Sequence, residues 1–337
     1  MKDFKPVEVY PLVDSNDWIE LTGDLPVKMT NDYLFRALLQ SDNDTLKALL
    51  ASVLKMEPGE IKSARVTNPI LLGEAIDEKT FVMDVKVEMN DAALIDLEMQ
   101  VVREPYWAER SVSYICRAFD NLNRGVPYNE VKPVRQIAFC DFTLFKEAPA
   151  FYSDYKLINT RQDKLVYTEK LIITNIDLTN IDLASEEDKK YKLDEWSSLF
   201  KAATWEDMKM LAEKNAAVGK AISAVWQLTE EERIREQCRA REDWIVNDIW
   251  KMNKIAQQEQ ELKKKDDAIK EKDDAIKKKD DAIKEKDDAI KEKDDVIKEK
   301  DDAIKEKDDV IKEKDDVIKE REDEIKMLKR KLAKFES

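Results

Sequence analysis

The chain has 337 residues, 59 Lys/Arg against 74 Asp/Glu, and a net charge of −15. It contains no histidine, which excludes Ser-His-Asp and Cys-His catalysis, His-ligated zinc and imidazole pH switches. Three widely spaced cysteines and the lack of any apolar run of roughly 18 residues point to a soluble cytoplasmic protein with reduced thiols and no membrane partner.

Four segments are expected in chain order: an irregular stretch at 1–27, a core at 28–180, a helical extension at 181–258 and a charged repeat at 259–337. All nine prolines lie at or before Pro149 and four of the five glycines at or before Gly125, so the first part reads as turn-rich and the later part as helical. Thr30 is the expected N-cap of a helix through Leu39, followed by a second helix from Asp44 to Leu54, ended by Pro58-Gly59. Strand signals cover Ile61–Leu72, Thr80–Met89 and Ala93–Val102, the last two separated by the turn-type run Asn90-Asp91-Ala92. A helix from Pro105 to Arg124 with Gly125 just past its end comes next, then a buried strand at Val134–Phe142 and one or two strands within 164–178. From Ser185 to Asn253 the pattern is helical, with Trp196, Phe200, Leu211 and Trp226 as core. Trp205, Trp244 and Trp250 are also read as packing residues.

Residues 259–337 hold 25 basic and 29 acidic side chains, leaving a body of net charge −11. Their unit is close to Lys-Asp-Asp-Ala/Val-Ile-Lys-Glu, with isoleucine every seventh residue from Ile269 to Ile325. That period suits a left-handed homo-oligomeric coiled coil. The seam is thin, because Lys272, Lys279 and Lys286 fall where a second apolar residue belongs. Only Ile325, Leu328, Leu332 and Phe335 complete it. A single charged helix supported by pairs such as Lys270–Asp274 is the competing reading.

The chemistry concentrates in the 80–102 hairpin. With the turn centred on Asp91, Val85, Val87, Ile95, Leu97 and Met99 share an apolar face, and a one-residue slip would destroy it. On the other face Asp84 lies opposite Glu98, Lys86 lies opposite Asp96, and Gln100 follows. Carboxylates facing at about 5 Å repel each other unless a cation lies between them or one is protonated. Mg²⁺, with Mn²⁺ as substitute, suits such a donor set. Arg103, Arg110, Arg117 and Arg124 form a seven-residue stripe flanked by Tyr114. Ala108, Val112, Ile115, Phe119 and Leu122 are expected on the opposite, core-facing side. The arginine side is either a solvated face or a phosphate-tracking one.

Asp84 followed by Glu98-Met99-Gln100 resembles the Asp…Glu-x-Lys core of PD-(D/E)XK nucleases. More specifically, it is similar to the Rpn family of recombination-promoting nucleases and putative transposases, in which Gln takes the Lys position. The same family's pattern is matched by Asn31-Asp32-Tyr33-Leu34-Phe35-Arg36, Lys79-Thr80, Arg110 with Tyr114, Gly125 with Tyr128, and Lys132-Pro133-Val134. The resemblance implies an α/β, restriction-endonuclease-like core with a mixed sheet flanked by helices. It implies Mg²⁺-dependent hydrolysis of DNA, with Asp84 and Glu98 as metal ligands and Gln100 orienting water or phosphate. Arg110, Tyr114 and Arg117 would contact the substrate, and Asp32 would complete the acidic set, with Glu74 and Asp77 as competitors. Gln cannot accept a proton as a neutral lysine could, so the general base stays open between a second water and the substrate phosphate. A binding module for DNA or protein, catalytically weak and oligomerised by its tail, is the alternative.

Overall fold

A computed structural model describes residues 12–13, 15–70, 84–120, 122, 125–162 and 165–335. They fall into two units, Met1–Met252 and Asn253–Ser337. The first holds a six-stranded mixed sheet. Its strands are β1 (Ala64–Val66), β2 (Val85–Met89), β3 (Ala93–Gln100), β4 (Val134–Cys140), β5 (Tyr152–Tyr155) and β6 (Leu171–Asp177), in the order β1-β2-β3-β4-β6-β5. The β3–β4 and β4–β6 pairs are parallel and the others antiparallel. Parallel central strands need covering on both faces, and the apolar runs of β4 and β3 are buried accordingly.

The N-terminal helices α1 (Asp32–Ser41) and α2 (Asn43–Leu54) pack into this core. Asn31, not Thr30, caps α1: its side chain accepts from the amides of Tyr33 and Leu34 at 3.1 and 3.2 Å. The reason is that Asn31 also donates to the Cys238 carbonyl at 3.0 Å, so the cap serves a tertiary contact as well. The helix α3 (Trp107–Phe119) connects β3 to the parallel β4. It stops at Asp120, five residues short of Gly125, whose φ of 88° instead serves the loop beyond. The run Asp120-Asn121-Leu122-Asn123 contains three poor helix formers, which accounts for the early end.

The chain continues through α4 (Glu186–Lys190), α5 (Leu193–Lys201), α6 (Trp205–Lys214), α7 (Ala216–Glu230) and the start of α8 (Glu232–Phe335). Residues 181–252 share one hydrophobic core with 28–180: Phe35 of α1, Phe139 of β4 and Phe200 of α5 meet edge to face, with ring centroids 5.8, 5.4 and 5.0 Å apart. Such aromatic contacts add about 0.5–1.5 kcal/mol each beyond burial. Trp196 and Trp205 are buried as expected, and Trp226 is partly buried against the core. Trp250 departs from the packing expectation: it is 61% exposed.

The first strand is only three residues long, and the rest of the expected Ile61–Leu72 strand is irregular up to residue 70. Residues 71–83, which include Glu74, Asp77, Lys79 and Thr80, lie outside the described residues. The edge strand β5, a polar Tyr-Ser-Asp-Tyr, carried no strand signal. The second unit is helical through Phe335, and its isoleucines are about half exposed along one stripe. Among the described residues no helix is long and apolar enough to cross a membrane. The three cysteines are unbridged, Cys140 and Cys238 buried and Cys116 exposed.

Candidate active site

The β2–β3 hairpin turns on Asn90 and Asp91, both with positive φ (52° and 56°), a conformation Asn and Asp accept more readily than other side chains. The Asn90 carboxamide stitches the turn to the preceding chain, accepting from the amides of Lys62 and Ser63 and donating to the Glu60 carbonyl. The ladder pairs Val85 with Leu97, Lys86 with Asp96 and Val87 with Ile95, the register expected from the apolar pattern. Strand alternation then places Asp96, Glu98 and Gln100 on one face of β3. Asp84, immediately before β2, joins them.

These groups line a cleft of about 460 Å³, together with Asp32, Lys86, Glu104, Arg110, Tyr114, Arg241, Trp244 and Asp248. Asp84 and Glu98 are both buried at 8% exposure, and Gln100 at 9%. Asp84 Oδ1 and Asp96 Oδ1 are buried acceptors that meet no donor. Burial pushes the Asp96 carboxyl well above the usual range, and the negative charges of Asp84 and Glu98 add to this. Burial likewise pushes Glu98 up to about 7, although Arg110 opposes the shift. Glu98 accepts from Arg110 at 3.3 Å and from Gln136 at 3.4 Å. Gln100 donates its amide to the Val102 carbonyl at 2.7 Å, which leaves Oε1 as its acceptor.

Positive charge underlies and rims this face. Arg36 of α1, 2% exposed, donates to the Asp84 carbonyl at 2.5 Å and to the Asn68 carbonyl. It fixes the backbone that presents the Asp84 carboxylate. Lys86 reaches along its own strand to Asp84 Oδ2 at 3.4 Å, so the ion pair is with Asp84 and not with its cross-strand neighbour Asp96. Arg110 is held by Glu104 as well as Glu98, and lies over the rings of Trp107 and Tyr114 at 5.5 and 5.3 Å. Arg117 sits over Tyr114 at 5.9 Å and does not line the cleft. Arg103 donates to the Leu144 carbonyl, and Arg124 lies outside the described residues.

The helix α3 is turned relative to expectation. Trp107, Ser111 and Ile115 are its buried residues, while Ala108 and Val112 face solvent. Trp107 takes the core position beside Ala138 and Cys140, and this rotates Arg110 and Tyr114 toward the cleft.

Asp32 lies in the cleft, but its carboxylate is gripped by Arg241 of α8, whose Nε and Nη2 donate at 2.8 and 2.5 Å. Arg241 in turn stacks on Trp244 at 4.3 Å. Trp244 is therefore a cleft wall and not simply a packing residue. Arg241, Trp244 and Asp248 had no sequence signal pointing to the site, since Arg241 meets a residue 209 positions away. Asp96 was legible, because it alternates with Glu98 and Gln100 on one strand face.

Among the described residues no group of three His, Cys, Asp or Glu side chains forms a ready metal site. The residues nevertheless fit a hard divalent cation, which often takes only one or two carboxylates, with water and phosphate completing its shell. Asp84 supplies an unsatisfied buried oxygen, and the buried Glu98 carboxyl lines the same cleft.

A family described as PD-(D/E)XK nuclease family transposase has a model that matches residues 29–254, two thirds of the chain. No curated protein and no solved structure matches.

Proposed function

We propose, for a chain that belongs to the PD-(D/E)XK nuclease family of transposases, the metal-dependent hydrolysis of phosphodiester bonds within DNA. Asp84 and Glu98 would hold Mg²⁺, with Mn²⁺ as a substitute. The bound ion supplies charge neutralisation at the scissile phosphate and makes water a stronger acid. The chain's own residues do the rest. The Gln100 Oε1 accepts from the attacking water and orients it, while its amide stays fixed on Val102. Arg110, held over Trp107 and Tyr114, presents its guanidinium edge to phosphate beside Glu98. Tyr114 lines the cleft next to it, and Arg117 extends the basic side of α3 outward. Asp32 acts through Arg241, whose guanidinium it locks at the cleft wall. Homo-oligomerisation through 259–337 completes the reading.

The observation that carries it is the buried, donor-less Asp84 oxygen on the same cleft face as Glu98 and Gln100. The test is nicking and linearisation of supercoiled plasmid under Mg²⁺, Mn²⁺, Ca²⁺ or EDTA. Wild type is expected to cut with Mg²⁺ or Mn²⁺, and Asp84→Ala/Glu98→Ala is expected not to. Retained cutting in the double variant would remove both ligands from the mechanism. The net charge of −11 on the body favours a second reading, a DNA- or protein-binding module of weak activity. Intact DNA binding without cutting in either metal would select it.

A further inference from the structure

Three cations line the cleft among the described residues: Lys86, Arg110 and Arg241. Arg241 makes a two-nitrogen contact with Asp32, and Arg110 is shared between Glu104 and Glu98. Lys86 is different. Its ammonium stands 3.4 Å from Asp84 Oδ2, beyond the roughly 2.7–2.9 Å of a charge-assisted hydrogen bond. Its side chain is 53% exposed, with three donors on a flexible stem. It follows Asp84 by two residues and pairs across the ladder with Asp96, so it shares a face with all three crowded carboxylates.

A phosphodiester entering that face meets three crowded carboxyl groups, Asp84, Asp96 and Glu98, and the negative charge of those that are ionised. Gln100 carries no charge to offset it, and both arginines are already matched by carboxylates. A phosphate oxygen offers Lys86 a closer acceptor than Asp84 does.

We propose that Lys86 is a catalytic residue whose ammonium contacts a non-bridging oxygen of the scissile phosphate, and so supplies the charge that Gln100 lacks. This rests on the nuclease reading above. Lys86 forms and breaks no covalent bond in this step. It acts by stabilising charge that grows on the phosphate as the bond to the leaving oxygen breaks.

The test uses the full chain and three variants, Lys86→Gln, Lys86→Arg and Asp84→Ala. Cleavage of supercoiled plasmid in Mg²⁺ is measured under single-turnover conditions. Binding to a short duplex in Ca²⁺ is measured by fluorescence anisotropy across a salt series. Lys86→Gln is expected to cut about 10²-fold more slowly than wild type, with an unchanged thermal midpoint. Its slope of log affinity against log salt is expected to shrink by about 0.9, the signature of one lost phosphate contact. Lys86→Arg, which keeps the cation, is expected to retain the wild-type slope and most of the rate. Cutting by Lys86→Gln within about twofold of wild type, with Asp84→Ala inactive, would overturn the proposal and leave the nuclease reading intact. Slow cutting by Lys86→Gln with an unchanged salt slope would also overturn it, reducing Lys86 to a partner of Asp84. Absence of cutting by wild type in both Mg²⁺ and Mn²⁺ would instead bring down the nuclease reading and this proposal with it.

Discussion

Glu98 makes acid a stabiliser of this fold. Its carboxyl is pushed up to about 7 by burial, so across roughly pH 4.5–7 the folded chain binds a proton that the unfolded chain has released. Stability therefore falls as pH rises through that window. Thermal melts in EDTA at both ends of it are expected to show a larger loss for wild type than for Glu98→Gln, and added Mg²⁺ at the upper end should restore the difference. Equal pH dependence in the two proteins would mean that Glu98 is solvated. The Asp32–Arg241 pair is buried on both sides, at 5% and 10% side-chain exposure. Removing one partner of such a pair costs about 3–5 kcal/mol. Asp32→Asn should lower the urea midpoint accordingly, and a shift below about 0.5 kcal/mol would show that the grip contributes nothing to stability. That partnership was invisible in the sequence, where nothing links Asp32 to a residue 209 positions away. Asp84, Glu98 and Gln100, by contrast, were legible because strand alternation alone puts them together.

Elements were legible where a period was uninterrupted. The β2–β3 register follows from Val85, Val87, Ile95, Leu97 and Met99, which fit only one alignment, and the structure has that alignment. The α3 helix misled because Ala108 and Val112 look like core at helical spacing. The bulkier Trp107 wins the buried position, and one register of the stripe turns outward. The β5 strand was missed because its pairing with β6 is a sheet-edge contact made by backbone, which polar side chains do not announce. The hairpin turn yields a prediction of its own. Asn90→Ala forces positive φ on a side chain that resists it and removes three hydrogen bonds to residues 60–63. A loss of about 2–3 kcal/mol is expected in denaturant titration. Asn90→Gly, which relieves φ but not the bonds, should lose less. If the two variants lose equally, backbone strain is not part of the cost.

At the scale of the molecule, the body is organised around a hydrophobic core and the tail around a seven-residue repeat. From 253 to 335 the helix would extend about 125 Å at 1.5 Å per residue, with its isoleucines half exposed. Only the last two heptads join apolar residues on adjacent turns. Sedimentation equilibrium of the full chain is therefore expected to show association that Leu328→Asp weakens more than Ile283→Asp does. A monomer at every concentration would assign the tail to the single charged helix. Within the body, the clasp of Asp32 by Arg241 has a consequence for synthesis. The two residues are separated by 209 positions, so a ribosome must release nearly the whole body before that wall of the cleft can close. Chains interrupted upstream of α8 can form the β2–β3 hairpin and its acidic face, but they lack Arg241, Trp244 and Asp248. The cleft is thus finished last, and unfinished copies carry its acidic face without the wall that closes it.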